Sequence, residues 1–196
     1  MGLFTSKAYD KLRSLIFPFG LIMNEIPDRG NMLDVGSGHG TFPLYVAKRK
    51  RDLSVLGVEM DRRRVLIARE KAKGLKNVKF VCSDFRVFEV RGKFNVVACL
   101  DVLHHIPKVS HTEVIRKIYK LLKPNGVFIL VEIDTRPLPK YLWNYVHDFV
   151  FTRSLNMNYV GRGEIASLVK SCGFSISSVK DASTFLYGRY MLVCRK

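Results

Sequence analysis

The sequence has no stretch long and apolar enough to cross a membrane as a helix. Its longest apolar runs, such as GVFILV at residues 126–131, fall far below the ~18 residues a span needs. Cysteine is scarce. Cys82, Cys99, Cys172 and Cys194 form no C-x-x-C pair and no His/Cys group with zinc spacing, which argues against a disulfide framework and against a metal site. All four read as free, buried, reduced thiols. No internal repeat, low-complexity tract or Pro/Gly/Ser linker divides the chain. The first twenty residues interleave charges with apolar residues and show no small-residue cleavage site, so they are not expected to be a secretory signal. Gly2 and Ser6 match the short M-G-x-x-x-[ST] myristoylation pattern, which arises often by chance. The expectation is a soluble cytoplasmic protein with one domain over residues 1–196, monomeric or homodimeric.

Acidic residues are also few: 17 against 33 basic ones, for a net charge of +16. Such a balance attracts polyanions, whether nucleic acid, an anionic membrane face or an acidic substrate. The basic runs KRKR (48–51) and DRRR (61–64) fall on expected helix faces and ends, where a solvated surface is the commoner cause.

What the chain does have is alternation. Strands are expected at 31–35, 53–59, 78–83, 94–100, 127–133, 175–182 and 189–196. Helices are expected at 5–26, 41–50, 62–74 with Gly74 as a C′ glycine, 111–126 with Ser110 or Thr112 as N-cap, and 163–174. Four of the strands are continuous apolar runs, as in a parallel sheet covered by helices on both faces. Short connections between strand and helix then give an α/β doubly wound fold of seven strands. Ligands of such sheets bind beyond the carboxyl ends of the strands, so the residues following each strand carry the information.

After the first strand comes DVGSGHG, with Asp34, Gly36, Ser37, Gly38 and Gly40. The spacing is G-x-G-x-G, not the G-x-G-x-x-G of dinucleotide sites. A tight strand-to-helix turn without a ligand would also produce it. The second strand ends at Glu59, followed by Met60. A carboxylate there can accept from two ribose hydroxyls, of an NAD or of another adenosine-like ligand, or pair with the nearby arginines. The third ends at Ser83, Asp84 and Phe85, where Asp84 can accept from an exocyclic adenine amine or cap a short helix. The fourth ends at Leu100 and Asp101, with His104 and His105 close behind.

Taken in order, LDVGSGHG, GVEMD, CSDF, LDVLHHI and LLKPNGVFILVE resemble the class I S-adenosylmethionine-dependent methyltransferases, and among them the small-molecule branch that includes the ubiquinone/menaquinone-biosynthesis enzymes. The resemblance covers residues 30 to 135 well and the ends in outline. It implies a Rossmann-like methyltransferase fold, a mostly parallel sheet with an antiparallel C-terminal strand. It implies S-adenosylmethionine as cofactor and S-adenosylhomocysteine as product. Asp34 and Gly36 to Gly40 would flank the methionine moiety with Leu100 and Asp101, Glu59 would hold the ribose with Met60 beside the adenine, and Asp84 would read the adenine amine with Phe85 nearby.

Methyl transfer needs a nucleophile aligned with the methyl group and water excluded. A general base adds to this where the nucleophile must lose a proton. The base candidates are His104, His105 and His147, with Asp148 and Tyr9 behind them. The Asn/Asp-Pro-Pro-Tyr motif of base and glutamine N-methylating enzymes is absent after the fourth strand, which disfavours adenine N6 methylation. Residues 136–162, holding Trp143 and several tyrosines and phenylalanines, read as a core helix or as a lid over an apolar acceptor. Residues 1–28 read as a basic amphipathic cap that closes over the cofactor or rests on an anionic membrane. A small apolar, aromatic or lipid-like acceptor is the favoured partner. An RNA or protein substrate, a non-catalytic cofactor-binding subunit and a nicotinamide-dependent oxidoreductase are the alternatives.

Overall fold

A computed structural model of the chain describes residues 17, 19–135, 138, 140, 142–143, 158–184 and 187–196. Among these, seven strands form one sheet: β1 (Arg29–Val35), β2 (Asp52–Glu59), β3 (Val78–Cys82), β4 (Phe94–Leu100), β5 (Leu122–Ile133), β6 (Ser175–Asp181) and β7 (Arg189–Arg195). Their order across the sheet is β3-β2-β1-β4-β5-β7-β6. Strands β1 to β5 run parallel, and β7 is antiparallel to β5 and β6. The expected seven-stranded, doubly wound α/β fold is therefore present.

The described helices are α1 (Phe19–Met23), α2 (Thr41–Arg49), α3 (Arg62–Lys71), α4 (His111–Leu121) and α5 (Arg162–Ser171). Successive side chains of a strand point to opposite faces. Met32, Val96, Ile129 and Val193 accordingly pack in one core with α1, α2 and α3, while Leu33, Val97, Phe128 and Leu192 pack in a second with α4 and α5. Both faces are covered, which is why these strands are apolar without alternation. The chain leaves β1 toward β2 on one side and finds β4 on the other. The carboxyl ends of β1 and β4 thus flank the crevice where such sheets bind ligands.

The helix expected over 62–74 ends at Lys71, short of Gly74, and the largest difference from the sequence reading lies at the junction of α4 and β5. Helix α4 ends at Leu121 rather than 126, and LKPNG joins β5, with Leu122 paired to Phe94. Pro124 disfavours helical geometry at Lys123, and Asn125 turns the chain with φ 60°. Ser110 stands at the N-cap of α4, but its side chain makes no capping bond. Three cysteines are buried, as expected, whereas Cys82 at the end of β3 is exposed. Most of the expected N-terminal helix and of the segment 136–162 lies outside the described residues.

Asn77, just before β3, ties three pieces together: its Nδ2 donates to the carbonyls of Ala47, Lys50 and Leu53 at 3.0–3.1 Å. Substitution Asn77→Ala leaves those carbonyls short of a donor and is expected to destabilise the fold by about 1–3 kcal/mol in urea titration. Asn77→Asp turns an acceptor toward three acceptors and is expected to be worse. Equal urea midpoints for wild type and Asn77→Asp would remove this joint from the account.

Candidate active site

The glycine loop divides its labour. All three of its glycines have positive φ, at 72°, 54° and 78° for Gly36, Gly38 and Gly40. A Cβ on Gly36 would lie 2.4 Å from Cγ2 of Val102, and one on Gly40 2.8 Å from the ring of Phe80. Those two positions are packed shut by the fold. A Cβ on Gly38 would meet nothing within 4 Å. Gly38 is therefore the point where a ligand can approach the backbone.

Glu59, buried at the end of β2, fastens this loop. Its Oε2 accepts from the Gly38 N–H and its Oε1 from the Asp61 N–H, both at 2.9 Å. Gly36 and Ser37 also donate to the Val58 carbonyl. Each Glu59 oxygen keeps further acceptor capacity, so the carboxylate can serve a vicinal diol without releasing the loop. Met60 next to it is 68% exposed. The Ser37 hydroxyl is buried, has no hydrogen-bond partner among the described residues and lies 2.8 Å from where a Cβ on Gly57 would stand, so it faces back toward β2.

Asp84 is held by Arg86. The guanidinium makes two-pronged contact, with Nη2 2.6 Å from Oδ2, and the Arg86 N–H donates to Oδ1. That hydrogen bond holds the Asp84 carboxyl below its usual range against the opposing effect of burial. The alternative reading, Asp84 as the cap of a short helix, meets a turn at residues 85–87 in place of a helix, with the carboxylate accepting from the Arg86 N–H. Phe85 is not at the surface: it is buried in the α4-side core, with its carbonyl bonded by Lys117 Nζ at 2.6 Å.

Beyond β4, Asp101 takes φ 54°, a left-handed conformation rare for a residue with a side chain. Arg189 on β7 meets both of its carboxylate oxygens, at 3.2 and 3.0 Å. The guanidinium is buried and stacks over Phe17 and Tyr187. The next residues are gripped from β5. Glu132 Oε1 accepts from the N–H groups of Val102 (3.0 Å) and Leu103 (2.6 Å), and Oε2 pairs with Nδ1 of His104 at 2.7 Å. Burial alone would push the Glu132 carboxyl up. The His104 charge and these hydrogen bonds outweigh it and leave it below its ordinary value. His104 is buried, stacked on Tyr159 at 5.2 Å, while His105 beside it is exposed. His147, Asp148 and Tyr9 lie outside the described residues, so the structure places two of the three histidine candidates.

A methyltransferase-domain family model matches residues 26–161. This chain belongs to the class I S-adenosylmethionine-dependent methyltransferases. Among relatives, it is 30% identical over 134 residues to a carboxy-S-adenosyl-L-methionine synthase of Nautilia profundicola, covering 66% of this chain and 56% of that protein. It is 32% identical over 125 residues to a ubiquinone biosynthesis O-methyltransferase of Pseudomonas paraeruginosa, covering 60% and 52%. The chain thus spans slightly more than half the length of these two proteins. A magnesium protoporphyrin IX methyltransferase from Synechocystis, solved with S-adenosylmethionine, shares the fold with TM-score 0.69 at 21% identity, over 91% of this chain and 76% of that one.

The residues present suit the cofactor of this methyltransferase family. Gly38 leaves room for close approach, and Glu59 is an acceptor-only group where hydroxyls need acceptors. Asp34 and Leu100 are buried at the carboxyl ends of β1 and β4, and Ser83 donates its N–H to the Glu59 carbonyl. Sequence reasoning missed Glu132 and Arg189. The signal for the first was on the page: a glutamate inside the apolar run VFILVEI has no place in a buried strand unless it is partnered. Arg189 carried no local signal, since its partner is 88 residues away.

Glu132→Ala strips a buried histidine and two N–H groups of their acceptor, and the expected loss is about 3–5 kcal/mol. Because the folded carboxyl titrates below 4.5, its contribution is full above that pH and fades as pH falls through the folded value. Urea midpoints of wild type and Glu132→Gln should therefore converge in acid and diverge toward neutrality. A constant gap across pH would contradict the assignment.

Proposed function

We propose that this chain transfers the methyl group of S-adenosylmethionine to a small apolar, aromatic or lipid-like acceptor. The observation that carries the reading is the pairing of an open Gly38 with the loop-bound Glu59 carboxylate at the crevice of a methyltransferase fold. Names of relatives support a small acceptor: a ubiquinone biosynthesis O-methyltransferase and a phosphoethanolamine N-methyltransferase, at 32% and 24% identity.

When bound, the cofactor supplies an electrophilic methyl group on a sulfonium, and it leaves as S-adenosylhomocysteine. The chain's own part is to hold and to align. Glu59 takes the ribose hydroxyls, Met60 covers one face of the adenine, and Asp84 receives its amine while Arg86 keeps the carboxylate ionised. Asp34, Leu100 and Asp101 bound the methionine end. Alignment of this kind is worth ~7–11 kcal/mol of barrier. A base would add ~100- to 10,000-fold where the acceptor must lose a proton. Of the two described base candidates, His105 is the one exposed for that contact. His104, committed through Nδ1 to Glu132, positions the loop.

A second reading is favoured by the carboxy-S-adenosyl-L-methionine synthase relative: chemistry that alters the cofactor's methyl group instead of transferring it. Both readings share the binding site, so cofactor and product are tested separately. Glu59→Gln removes the charge and turns an amide NH2 toward one of the two backbone N–H groups, so it is expected to lower stability by about 1–3 kcal/mol and to weaken S-adenosylhomocysteine by about 10- to 100-fold in calorimetry run well below the melting transition. NAD is expected not to bind. Incubation with methyl-labelled S-adenosylmethionine and host extract should move label into the organic-soluble fraction. Label in RNA or protein would overturn the acceptor class, and label on a modified cofactor would support the second reading.

A further inference from the structure

We infer that the rim of the cofactor crevice docks on an anionic lipid bilayer. Among the described residues, eight large hydrophobic side chains are exposed. Six of them, Met60, Val87, Val109, Leu138, Leu142 and Trp143, sit on segments that follow β2, β3, β4 and β5 at the carboxyl edge of the sheet. The other two are Leu66 on α3 and Val179 on β6. The described loops at the opposite edge hold none of the eight. Singly scattered apolar residues are ordinary on a surface, but six of the eight on one edge is a concentration. Val109 is 88% exposed and Val87 77%, and neither belongs to the cofactor's expected contacts.

The same segments carry exposed basic residues: Arg62 and Arg63 after β2 and Lys108 after β4, while Arg64 and Arg86 pair with Asp61 and Asp84 and contribute less. Cations at a bilayer surface contribute ~1 kcal/mol each toward anionic headgroups, while apolar side chains enter the boundary layer. Trp143, the single tryptophan, has the apolar body and polar tip that favour the membrane interface. The net charge of +16 attracts any polyanion and so does not choose among them. The apolar rim does choose. A nucleic-acid strand would need aromatic platforms for its bases, and among the described residues Trp143 is the one exposed large aromatic. Docked this way, the crevice opens onto the bilayer, and an apolar acceptor reaches it without crossing water. The inference deepens the proposed function and rests on its apolar acceptor for its purpose, but binding is measured without turnover.

The experiment uses the full chain with vesicles of phosphatidylcholine, with and without phosphatidylglycerol. Flotation is expected only with the anionic vesicles, accompanied by a blue shift of Trp143 emission. Val87→Asp and Val109→Asp are each expected to weaken partitioning by roughly tenfold, the order one buried apolar side chain supplies. Both variants should keep S-adenosylhomocysteine affinity and melting temperature, which separates loss of docking from loss of the site or fold. The proposal is overturned if anionic vesicles bind without a Trp143 shift and both variants bind as wild type, since charge alone then acts. It is also overturned if vesicles fail to bind while RNA does. Vesicle binding with no methyl transfer would leave docking standing and refute the acceptor reading alone.

Discussion

Glu132 is a carboxylate buried in the middle of a protein, and its described partners all come from one short loop. A buried charge must be matched by donors or it unfolds its surroundings. Val102, Leu103 and His104 supply that match, so the loop has little freedom to leave. Val102 in turn fills the space that a side chain on Gly36 would need. The position of the cofactor loop is thus set at second hand by a glutamate on β5. Just before the loop, Asp101 holds a left-handed backbone, a strain of about 1–3 kcal/mol that persists only where the surroundings over-determine it. Its two-pronged pairing with buried Arg189 is that determinant. The antiparallel β7, which completes the sheet, therefore also bears on the crevice.

The two glutamates of the site differ in how much of their capacity the fold consumes. Glu132 spends its oxygens on three bonds within a closed environment. Glu59 spends each oxygen on one backbone N–H and stands beside the open Gly38. By this difference one carboxylate is architecture and the other is architecture with acceptor sites to spare. The same distinction sorts the glycines, two packed shut and one left open.

Much of this was legible in the sequence. Four of the strands appeared as apolar runs because burial on both faces removes the polar half of the usual alternation, and the glycine loop, Glu59 and Asp84 drew attention because such sheets place ligands at strand ends. What could not be read was pairing. Nothing near Arg189 announces Asp101, and nothing near Asp84 says that Arg86 rather than solvent will hold it. The end of α4 was misread for a related reason. KPNG looks like a helix stop, but only the pairing of Leu122 with Phe94 shows that the chain has already entered the sheet.

The histidine pair shows how local chemistry and packing can point apart. A ring whose Nδ1 faces a carboxylate is well set to take a proton on Nε2, which by itself would recommend His104 as a base. A base must also touch the group it deprotonates. His104 is covered by Tyr159, and its carbonyl accepts from the Asn158 N–H, so the strand of chain leading into α5 is fastened across it. Exposing the ring would mean breaking that contact and disturbing the loop that shapes the cofactor crevice. His105 reaches solvent without either change, 4.0 Å from its neighbour ring to ring. The geometry therefore separates the pair: His104 spends its hydrogen bond on the fold, and His105 is the exposed one.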